Sequence, residues 1–264
     1  MEIAGYLASL LIGVSLGLIG GGGSILTIPV LVYLFNIQPT IATGYSLFIV
    51  GSSSLAGAYK HYRKGNVNFK AAFYFGISSI ITVVSMRKFI VPAIPEQLFT
   101  IGHFDVTKSI VIMVLFAVVM IVASMNMIRK NPVYTNGNDD HTIHFGKALV
   151  KGIEVGILTG ILGAGGGFII IPVLIFSFHL NMKDAIGTSL LIIAMNSLLG
   201  FTGDLFHHSV EWKLLVPVTI IAIAGTFLGR KLGETIPGEK LKKGFGWFVL
   251  AMGCYIILHE LLLK

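Results

Sequence analysis

The sequence contains little charge and a single cysteine, and these two shortages exclude several classes of protein. Charged residues make up 12% of the 264 residues and hydrophobic residues 55%, with a mean hydropathy of +0.87. So few charges leave too little polar surface to cover a soluble globule of this length. One cysteine, Cys254, excludes an internal disulfide and a cysteine-based metal cluster. An integral membrane protein is the class that remains.

The sequence also lacks the motifs of an enzyme. It has no nucleophile and base set, no H-E-x-x-H motif and no pair of cofactor ligands, so we expect no catalytic residue, no metal and no cofactor. His141 and His144 stand beside Asp139 and Asp140 and are typical of a solvated loop. The net charge of +7 comes from basic residues at the ends of apolar runs, where they set topology and meet anionic lipid. Nucleic-acid binding is therefore not expected.

Apolar runs fill most of the chain. Most of them reach the roughly 20 residues that a helix needs to cross hydrocarbon, whereas strands of a membrane barrel would be about 10 residues long and alternating. The sequence therefore predicts an all-α integral membrane protein, with apolar runs at 3–35, 41–59, 69–91, 108–128, 148–178, 186–206, 213–229 and 244–263.

The chain is an internal duplication. Residues 13–88 and 156–231 share 24 identities over 76 positions at a constant offset of 143. The clearest match joins the stretch from Gly17 to Leu31 with that from Gly160 to Leu174. We predict a first transmembrane repeat at 1–130, a polar linker at 131–146 and a second transmembrane repeat at 147–264.

The first run of each repeat is too long for one crossing and is broken by glycines. If each broken run returns to its own side, each repeat has three full crossings, and 14 of the 19 basic residues fall on one side of the membrane. If each run crosses once, the split is 10 to 9, which does not satisfy the positive-inside rule. We therefore predict inverted repeats, each with a Gly-broken re-entrant segment and three transmembrane helices, and both termini outside the cytoplasm.

The glycine breaks have two interpretations. Six of the glycines are small faces that let helices pack closely, namely Gly13, Gly17, Gly20, Gly156, Gly160 and Gly163. The consecutive glycines that follow tend to unwind the helix, and exposed backbone at membrane depth occurs only where protein buries it or where it lines a cavity. Free N–H groups at the helix starts carry partial positive charge and favour an anion. Paired discontinuous helices also point to a transporter site.

Small polar residues recur near these breaks in both repeats. They are candidate donors to a bound anion, although back-bonding to the helix and interhelical packing explain such residues equally well. Titratable residues that could couple transport to protons are His61, Asp204 and Glu154, for which the alternative is an ordinary interfacial position. The candidate substrate-binding residues are Gly21, Gly22, Gly23, Ser24, Thr43, Ser46, Gly165, Gly166, Gly167, Thr188, Ser189 and Asn196.

These paired motifs resemble a known family. The pattern Gly-x3-Gly-x2-Gly-x-Gly-Gly followed by Ile-Pro-Val-Leu, and then Gly-[Tyr/Thr]-Ser-Leu, is similar in both copies to the TauE/SafE family of sulfite exporter-like permeases. The resemblance implies a multi-pass permease of the prokaryotic cytoplasmic membrane that moves sulfur-containing anions and is driven by an ion gradient. This chain has Asp204 where a histidine is common in the family, opposite His61 in the first repeat, which puts any symmetric histidine pair in doubt.

The sequence and the resemblance together predict a secondary transporter for a small sulfur-containing anion, such as sulfite, an organosulfonate or a related oxyanion. The anion would bind between the two breaks, and the expected partners are this anion, the lipid bilayer and coupling protons. An anion channel would show the same polar pathway. A non-catalytic membrane subunit of a larger complex is a third possibility, which repeated polar positions inside both halves disfavour.

Overall fold

The computed structural model describes residues 2–19, 21–101, 104–128, 145–163, 165–178, 180–205, 210–233 and 238–262. Residues 131–144 of the predicted linker lie outside the described residues. The α-helices are α1 (Glu2–Ile19), α2 (Thr27–Tyr33), α3 (Pro39–Arg63), α4 (Phe69–Ser85), α5 (Val91–Ala93), α6 (Lys108–Ile128), α7 (Phe145–Leu162), α8 (Gly167–Phe178), α9 (Met182–Asp204), α10 (Trp212–Gly233) and α11 (Gly238–Leu262).

Three shorter elements complete the described chain. A 3-10 segment at Gly21–Leu26 joins α1 to α2, and a π-helical turn at Met86–Ile90 extends α4. Strands β1 (Gln97–Ile101) and β2 (Phe104–Thr107) form an antiparallel hairpin. The sequence did not predict this hairpin, which lies between the third and fourth apolar runs.

The helices form a membrane protein. Five segments of the described chain are long and apolar enough to cross a bilayer, and large apolar side chains such as Ile81 and Ile220 are exposed on their outer faces. Such faces suit lipid rather than water. The predicted all-α membrane fold is thus confirmed, and the five segments are Pro39–Arg63, Phe69–Ala93, Lys108–Met125, Lys183–Asp204 and Trp212–Leu232.

Local sequence signals explain where these helices begin. The side chain of Asn68 caps α4 by accepting a hydrogen bond from the Ala71 N–H at 3.0 Å, and Asn181 caps α9 by accepting one from the Asp184 N–H at 2.9 Å. Helix α3 begins with Pro39, whose missing N–H costs nothing in the first turn. These starts fix the register of the helices that surround the centre of the molecule.

Helices α3 and α9 pack against each other at this centre and run antiparallel. Gly44 lies against Asp204, Gly51 against Leu198 and Gly57 against Leu190, so residue numbers rise along one helix and fall along the other. The two helices occupy equivalent positions in the two repeats. We call the end of this pair that holds Thr43, Gly44, Arg87 and Asp204 the Arg87 end, and the end that holds His61, Asn66 and Gly187 the His61 end.

The outer helices exchange partners between the repeats. Helix α1 runs parallel to α10, with Gly13 against the Ala222 carbonyl and Gly17 against the Thr226 carbonyl. The equivalent helix α7 runs parallel to α4, where its glycines at 152, 156 and 160 meet residues 78, 82 and 86 in turn. Backbones approach this closely only where no side chain intervenes. Of the six glycines assigned to packing, those at 13, 17, 156 and 160 therefore lie at helix contacts as predicted, the one at 163 lies just beyond the end of α7, and the one at 20 lies outside the described residues.

The chain after each interruption lies beside the start of the helix before it. The ring of Phe35, just beyond α2, lies 5.6 Å from the ring of Tyr6 near the start of α1. In the second repeat, Phe178 at the end of α8 belongs to the same buried cluster as Ala148, the fourth residue of α7.

Candidate functional site

The two glycine runs coincide with interruptions of the helical backbone. In the first repeat, α1 gives way to the 3-10 segment that contains Gly21, Gly22 and Gly23. In the second repeat, Gly165 and Gly166 have φ values of +66° and +70°, which L side chains rarely adopt. Helix α8 then begins at Gly167 and packs against the 3-10 segment of the first repeat. The structure thus brings the two interrupted regions together.

The second interruption reaches the middle of the α3–α9 pair. A Cβ atom at Gly165 would lie 2.7 Å from Val50 Cγ1, 3.1 Å from Ile193 Cγ2 and 3.2 Å from Ser197 Oγ. Val50 and Ile193 are equivalent residues of the two repeats, so the backbone of Gly165 lies close to the centre of the duplication. Glycine is required at this position both by the conformation and by the space.

Buried polar atoms without partners lie in the middle of α3 and α9. Among the described residues, the hydroxyls of Ser53, Ser54 and Ser197 and the amide oxygen of Asn196 have no hydrogen-bond partner, although all four residues are fully buried. Ser53 is equivalent to Asn196, and Ser54 to Ser197, which places one pair on α3 and the other on α9. Leaving a buried polar group unpaired costs about 1–3 kcal/mol. Four such groups, of which Ser197 Oγ lies beside Gly165, make the middle of this helix pair a candidate site for a polar ligand.

The amide of Asn196 can serve such a ligand in either orientation. Its Nδ2 donates to Ser79 Oγ at 2.6 Å. Rotating the amide by half a turn preserves this contact, because the hydroxyl of Ser79 can donate to Oδ1 instead. The rotated amide then has free N–H donors in place of the unpaired oxygen. The group of Ser53, Ser54, Asn196 and Ser197 in the middle of the α3–α9 pair is called the central site below.

Two of the predicted residues lie on α3, with Thr43 at the Arg87 end and Ser46 between that end and the central site. Thr43 donates to the Thr40 carbonyl at 2.7 Å, and its hydroxyl oxygen accepts a hydrogen bond from Arg87 Nη1 at 2.9 Å. Ser46, one turn further along α3, is fully buried and its hydroxyl has no partner. Thr43, Ser46 and Ser53 share one face of the helix, since residues three and seven apart lie above one another.

The two predicted hydroxyl residues of α9, Thr188 and Ser189, do not join Thr43 and Ser46. Thr188 accepts a hydrogen bond from the backbone N–H of Asn68 at 2.8 Å, and Ser189 donates to the Ile186 carbonyl at 2.8 Å. Both lie towards the His61 end, and their hydroxyls are used within the protein. Ser24 is buried within the 3-10 segment, and Gly166 lies against the hydroxyl of Thr159, which has no partner.

A buried ion pair that sequence reasoning missed closes the Arg87 end. Arg87 is 1% exposed and its Nη1 lies 3.1 Å from Asp204 Oδ2. Gly44 leaves room for the carboxylate, and Gly163, where φ is +68°, leaves room for the guanidinium. Arg87 stands in the π-helical turn after α4, and such turns change the direction in which a side chain points. Among the described residues, its Nε and Nη2 have no partner.

A signal for this pair was present in the duplication. Arg87 recurs as Arg230, and Asp204 lies opposite His61, so a basic residue and a titratable residue repeat together at the offset of 143. Arg87 was instead interpreted as a residue at the end of an apolar run, because Lys88 follows it. A cavity of about 230 Å³ adjoins the ion pair and is lined by Arg87, Asp204, Thr40, Glu96 and Lys108 among others.

Comparison with known proteins identifies the family. The model of the sulfite exporter TauE/SafE family matches residues 6–256 of the chain, which is nearly its whole length. The chain belongs to this family.

Curated relatives of this TauE/SafE chain carry transporter names. A "Probable membrane transporter protein" of Xylella fastidiosa (strain 9a5c) is 30% identical over 254 residues, covering 94% of this chain and 91% of the relative. "Probable membrane transporter protein YdhB" of Bacillus subtilis (strain 168) is 29% identical, covering 89% and 92%. "Probable membrane transporter protein MJ0441" of Methanocaldococcus jannaschii is 24% identical, covering 94% and 92%. No solved structure matches the chain. The relatives and the apolar helices make this a membrane transporter protein.

The three candidate coupling residues of this TauE/SafE chain lie in three different places. Asp204 is paired with Arg87. His61 is half-buried at the opposite end of the α3–α9 pair, and its Nδ1 has no partner. Glu154 is exposed on α7, where its carboxylate lies 2.6 Å from Lys151 Nζ. These residues do not form one continuous relay for a proton.

Proposed function

We propose that this TauE/SafE protein is a secondary transporter of the prokaryotic cytoplasmic membrane, and that it moves a small sulfur-containing anion such as sulfite or an organosulfonate. The observation that carries the proposal is the central site, where buried hydroxyls and the amide oxygen of Asn196 lack partners among the described residues, and where the hydroxyl of Ser197 lies beside the backbone of Gly165. Hydroxyl, amide and backbone N–H groups are all donors. A small oxyanion accepts hydrogen bonds on every side and suits such a site.

The absence of charge at this centre also fits a transported ion. Each residue of the central site is neutral, so an anion held there is bound by dipoles rather than by a full positive charge. Binding of this kind is strong enough for selection and weak enough for release. Family membership and the name of the family supply sulfite as the first substrate to test.

We further propose that the two halves are inverted repeats and that each glycine-broken segment is re-entrant. Equivalent helices α3 and α9 run antiparallel, which supports a two-fold axis perpendicular to them and therefore in the membrane plane. The contact of Phe35 with Tyr6 and the shared cluster of Phe178 and Ala148 support the return of each segment. When one inverted repeat moves against the other, the binding site between them can open first to one side of the membrane and then to the other, which is alternating access.

Transport by purified protein in proteoliposomes tests the function. We expect uptake of labelled sulfite, thiosulfate or an organosulfonate against its gradient when an ion gradient is imposed, with and without a pH difference to identify proton coupling. Ser53→Ala and Ser197→Ala each remove one donor and should weaken substrate affinity by about 1.5–3 kcal/mol. Ser124→Ala is the matched control, because that buried hydroxyl already donates to the Ile121 carbonyl at 2.7 Å.

Three results would contradict the proposal. Flux that only dissipates a gradient would identify a channel, and no flux of any sulfur anion would favour a subunit of a larger complex. Equal loss of affinity in Ser53→Ala and Ser124→Ala would place the substrate elsewhere.

Labelling of single cysteines in a Cys254→Ser background tests the inverted topology. With 14 of 19 basic residues on the cytoplasmic side, we expect a cysteine at position 65 to react from the cytoplasm and one at the C-terminus to react from outside. Position 138 lies outside the described residues and is also expected on the cytoplasmic side. A cytoplasmic C-terminus would overturn the inversion.

A further inference from the structure

The cavity beside the Arg87 end is lined by two basic side chains and two carboxylates. Its volume of about 230 Å³ is roughly eight times the share of one water in the liquid, about 30 Å³, which is ample for a tetrahedral or pyramidal oxyanion. Two basic side chains line it, and both are nearly inaccessible, with Arg87 1% and Lys108 7% exposed. A pair of buried cations around an open volume is unusual, since each pays a desolvation cost.

The acidic residues of the cavity do not fully satisfy these cations. Lys108 Nζ lies 3.9 Å from Glu96 Oε1, a long contact, and the Glu96 side chain is 77% exposed. Asp204 Oδ2 accepts from Nη1 of Arg87, whereas Nε and Nη2 of the same guanidinium have no partner. Unpartnered guanidinium N–H groups in a buried position are well suited to an oxyanion, which can accept two of them at once.

Polar residues follow one another along α3 from the cavity. Thr40 lines the cavity, Thr43 contacts Arg87, and Ser46 follows one turn later with a hydroxyl that has no partner among the described residues. Steps of three residues turn gradually around a helix, so Ser46 shares the face of Ser53 of the central site, whereas Thr40 does not. The Arg87–Asp204 pair lines the cavity at the end of α3 where this series begins.

We propose that this cavity is an outer binding site for a small, doubly charged oxyanion, in which Lys108 and Arg87 bind the anion and Asp204 competes with it for Arg87. Binding of the anion at this outer site follows from the geometry of the cavity and does not depend on the proposed transport function. The onward step, in which Arg87 exchanges Asp204 for the anion and so opens the way past Thr43, rests on the proposed transport function.

The test is calorimetric titration of the purified full-length protein with sulfite, and with sulfate as a second probe. Lys108→Gln should weaken binding by roughly tenfold or more, because it removes a charged donor. Asp204→Asn should have the opposite effect and tighten binding by roughly tenfold, because it removes the competing carboxylate and leaves the Arg87 charge to the anion. Lys88→Gln is the matched control, since this neighbouring lysine is exposed, and should leave affinity unchanged.

Because Lys108→Gln should weaken sulfite binding and Asp204→Asn should tighten it, the two variants distinguish a binding site from a structural ion pair. If Arg87 and Asp204 only hold helices together, Asp204→Asn should lower thermal stability. Sulfite should then bind no more tightly to this variant than to the wild type, and it should not restore the lost stability. If Asp204→Asn does not fold, the sulfite affinity of Lys108→Gln still tests the outer site. Equal affinity of Lys108→Gln and the wild type would overturn it.

Failure of the outer site and failure of the transport function give different results. Normal sulfite transport with affinity unchanged in both Lys108→Gln and Asp204→Asn overturns the outer site alone. Sulfite binding that depends on Lys108, in a wild-type protein that transports no sulfur anion, supports the outer site and overturns the proposed function.

Discussion

The two halves of this protein share a sequence pattern and use equivalent positions differently. Position 204 carries the carboxylate that pairs with buried Arg87, whereas its equivalent in the first repeat is the half-buried imidazole of His61. The hydroxyl of Ser46 is unpaired, whereas that of its equivalent Ser189 is bonded to its own helix. Duplication thus supplied a symmetric frame, and substitution at single positions made one end of the α3–α9 pair unlike the other.

The largest expected effect comes from removing the acidic residue at one end. Asp204→Ala leaves the Arg87 charge buried without compensation, and we expect a loss of about 3–5 kcal/mol in the free energy of unfolding. His61→Ala at the equivalent position should cost far less, because no buried charge loses its partner. Unfolding in mixed micelles of increasing denaturing detergent measures both.

A double variant sharpens this test. Arg87→Met combined with Asp204→Ala removes both charges and should recover most of the lost stability. Equal destabilisation by Asp204→Ala and His61→Ala would mean that the two ends are energetically alike despite their different residues.

The second effect distinguishes the two interruptions. Gly165→Ala forces a side chain into a left-handed conformation, at a cost of about 1–2 kcal/mol, and brings the new Cβ to 2.7 Å from Val50 Cγ1. Its equivalent Gly22 stands in a right-handed 3-10 segment, where alanine is conformationally allowed. We expect Gly165→Ala to lower stability more than Gly22→Ala does, as measured by thermal unfolding. A larger loss in Gly22→Ala would contradict this difference between the halves.

The third effect concerns the equivalent serines of α3 and α9. Ser46→Ala should weaken substrate affinity by about 1.5–3 kcal/mol if its free hydroxyl donates to the anion. Ser189→Ala removes a hydroxyl that already donates to the Ile186 carbonyl and should change affinity little. Substrate titration of both variants checks the contrast. A matching loss in both would show that the bond within α9 does not exclude Ser189 from the substrate.

The smallest effect is expected on the surface of α7. Glu154 is equivalent to the exposed Leu11 of the first repeat, and its ion pair with Lys151 is exposed. Exposed pairs of this kind contribute roughly 0–1 kcal/mol. Glu154→Leu, which makes the second half resemble the first, should leave sulfite transport and its pH dependence unchanged. A shifted pH profile would restore Glu154 as a coupling residue.

The sequence predicts the helices well because apolar length and glycine runs are local signals. The interruptions after Ile19 and Leu162 fall where the glycines are, and Pro39 and Asn181 precede predicted helices. The site was only partly predictable. Gly165, Ser46 and Asn196 are candidates from the sequence because glycine or polar residues recur at these positions in both repeats, but which hydroxyls remain unpaired depends on contacts with other helices, such as that between Thr188 and the Asn68 backbone.

The Arg87–Asp204 pair could not be predicted from local sequence. Its members are 117 residues apart, and Arg87 looks like an interfacial residue because Lys88 is beside it. Burial of Arg87 follows from the π-helical turn at Met86–Ile90, for which the sequence carries no clear signal. The β-hairpin at Gln97–Thr107 was missed for a similar reason, since its short strands lie between apolar runs that dominate the pattern.

The partner exchange between α1 and α10 has a consequence for how the protein is made. Helix α10 begins at Trp212, 193 residues after α1 ends at Ile19, so α1 enters the membrane long before its partner has been translated. Until then, the glycine face of α1 is covered only by lipid. Neither half alone contains the partner of its own first helix, and a half-length chain should be recognised by membrane quality control as unfinished. Two halves made as separate chains in one cell should instead assemble with each other.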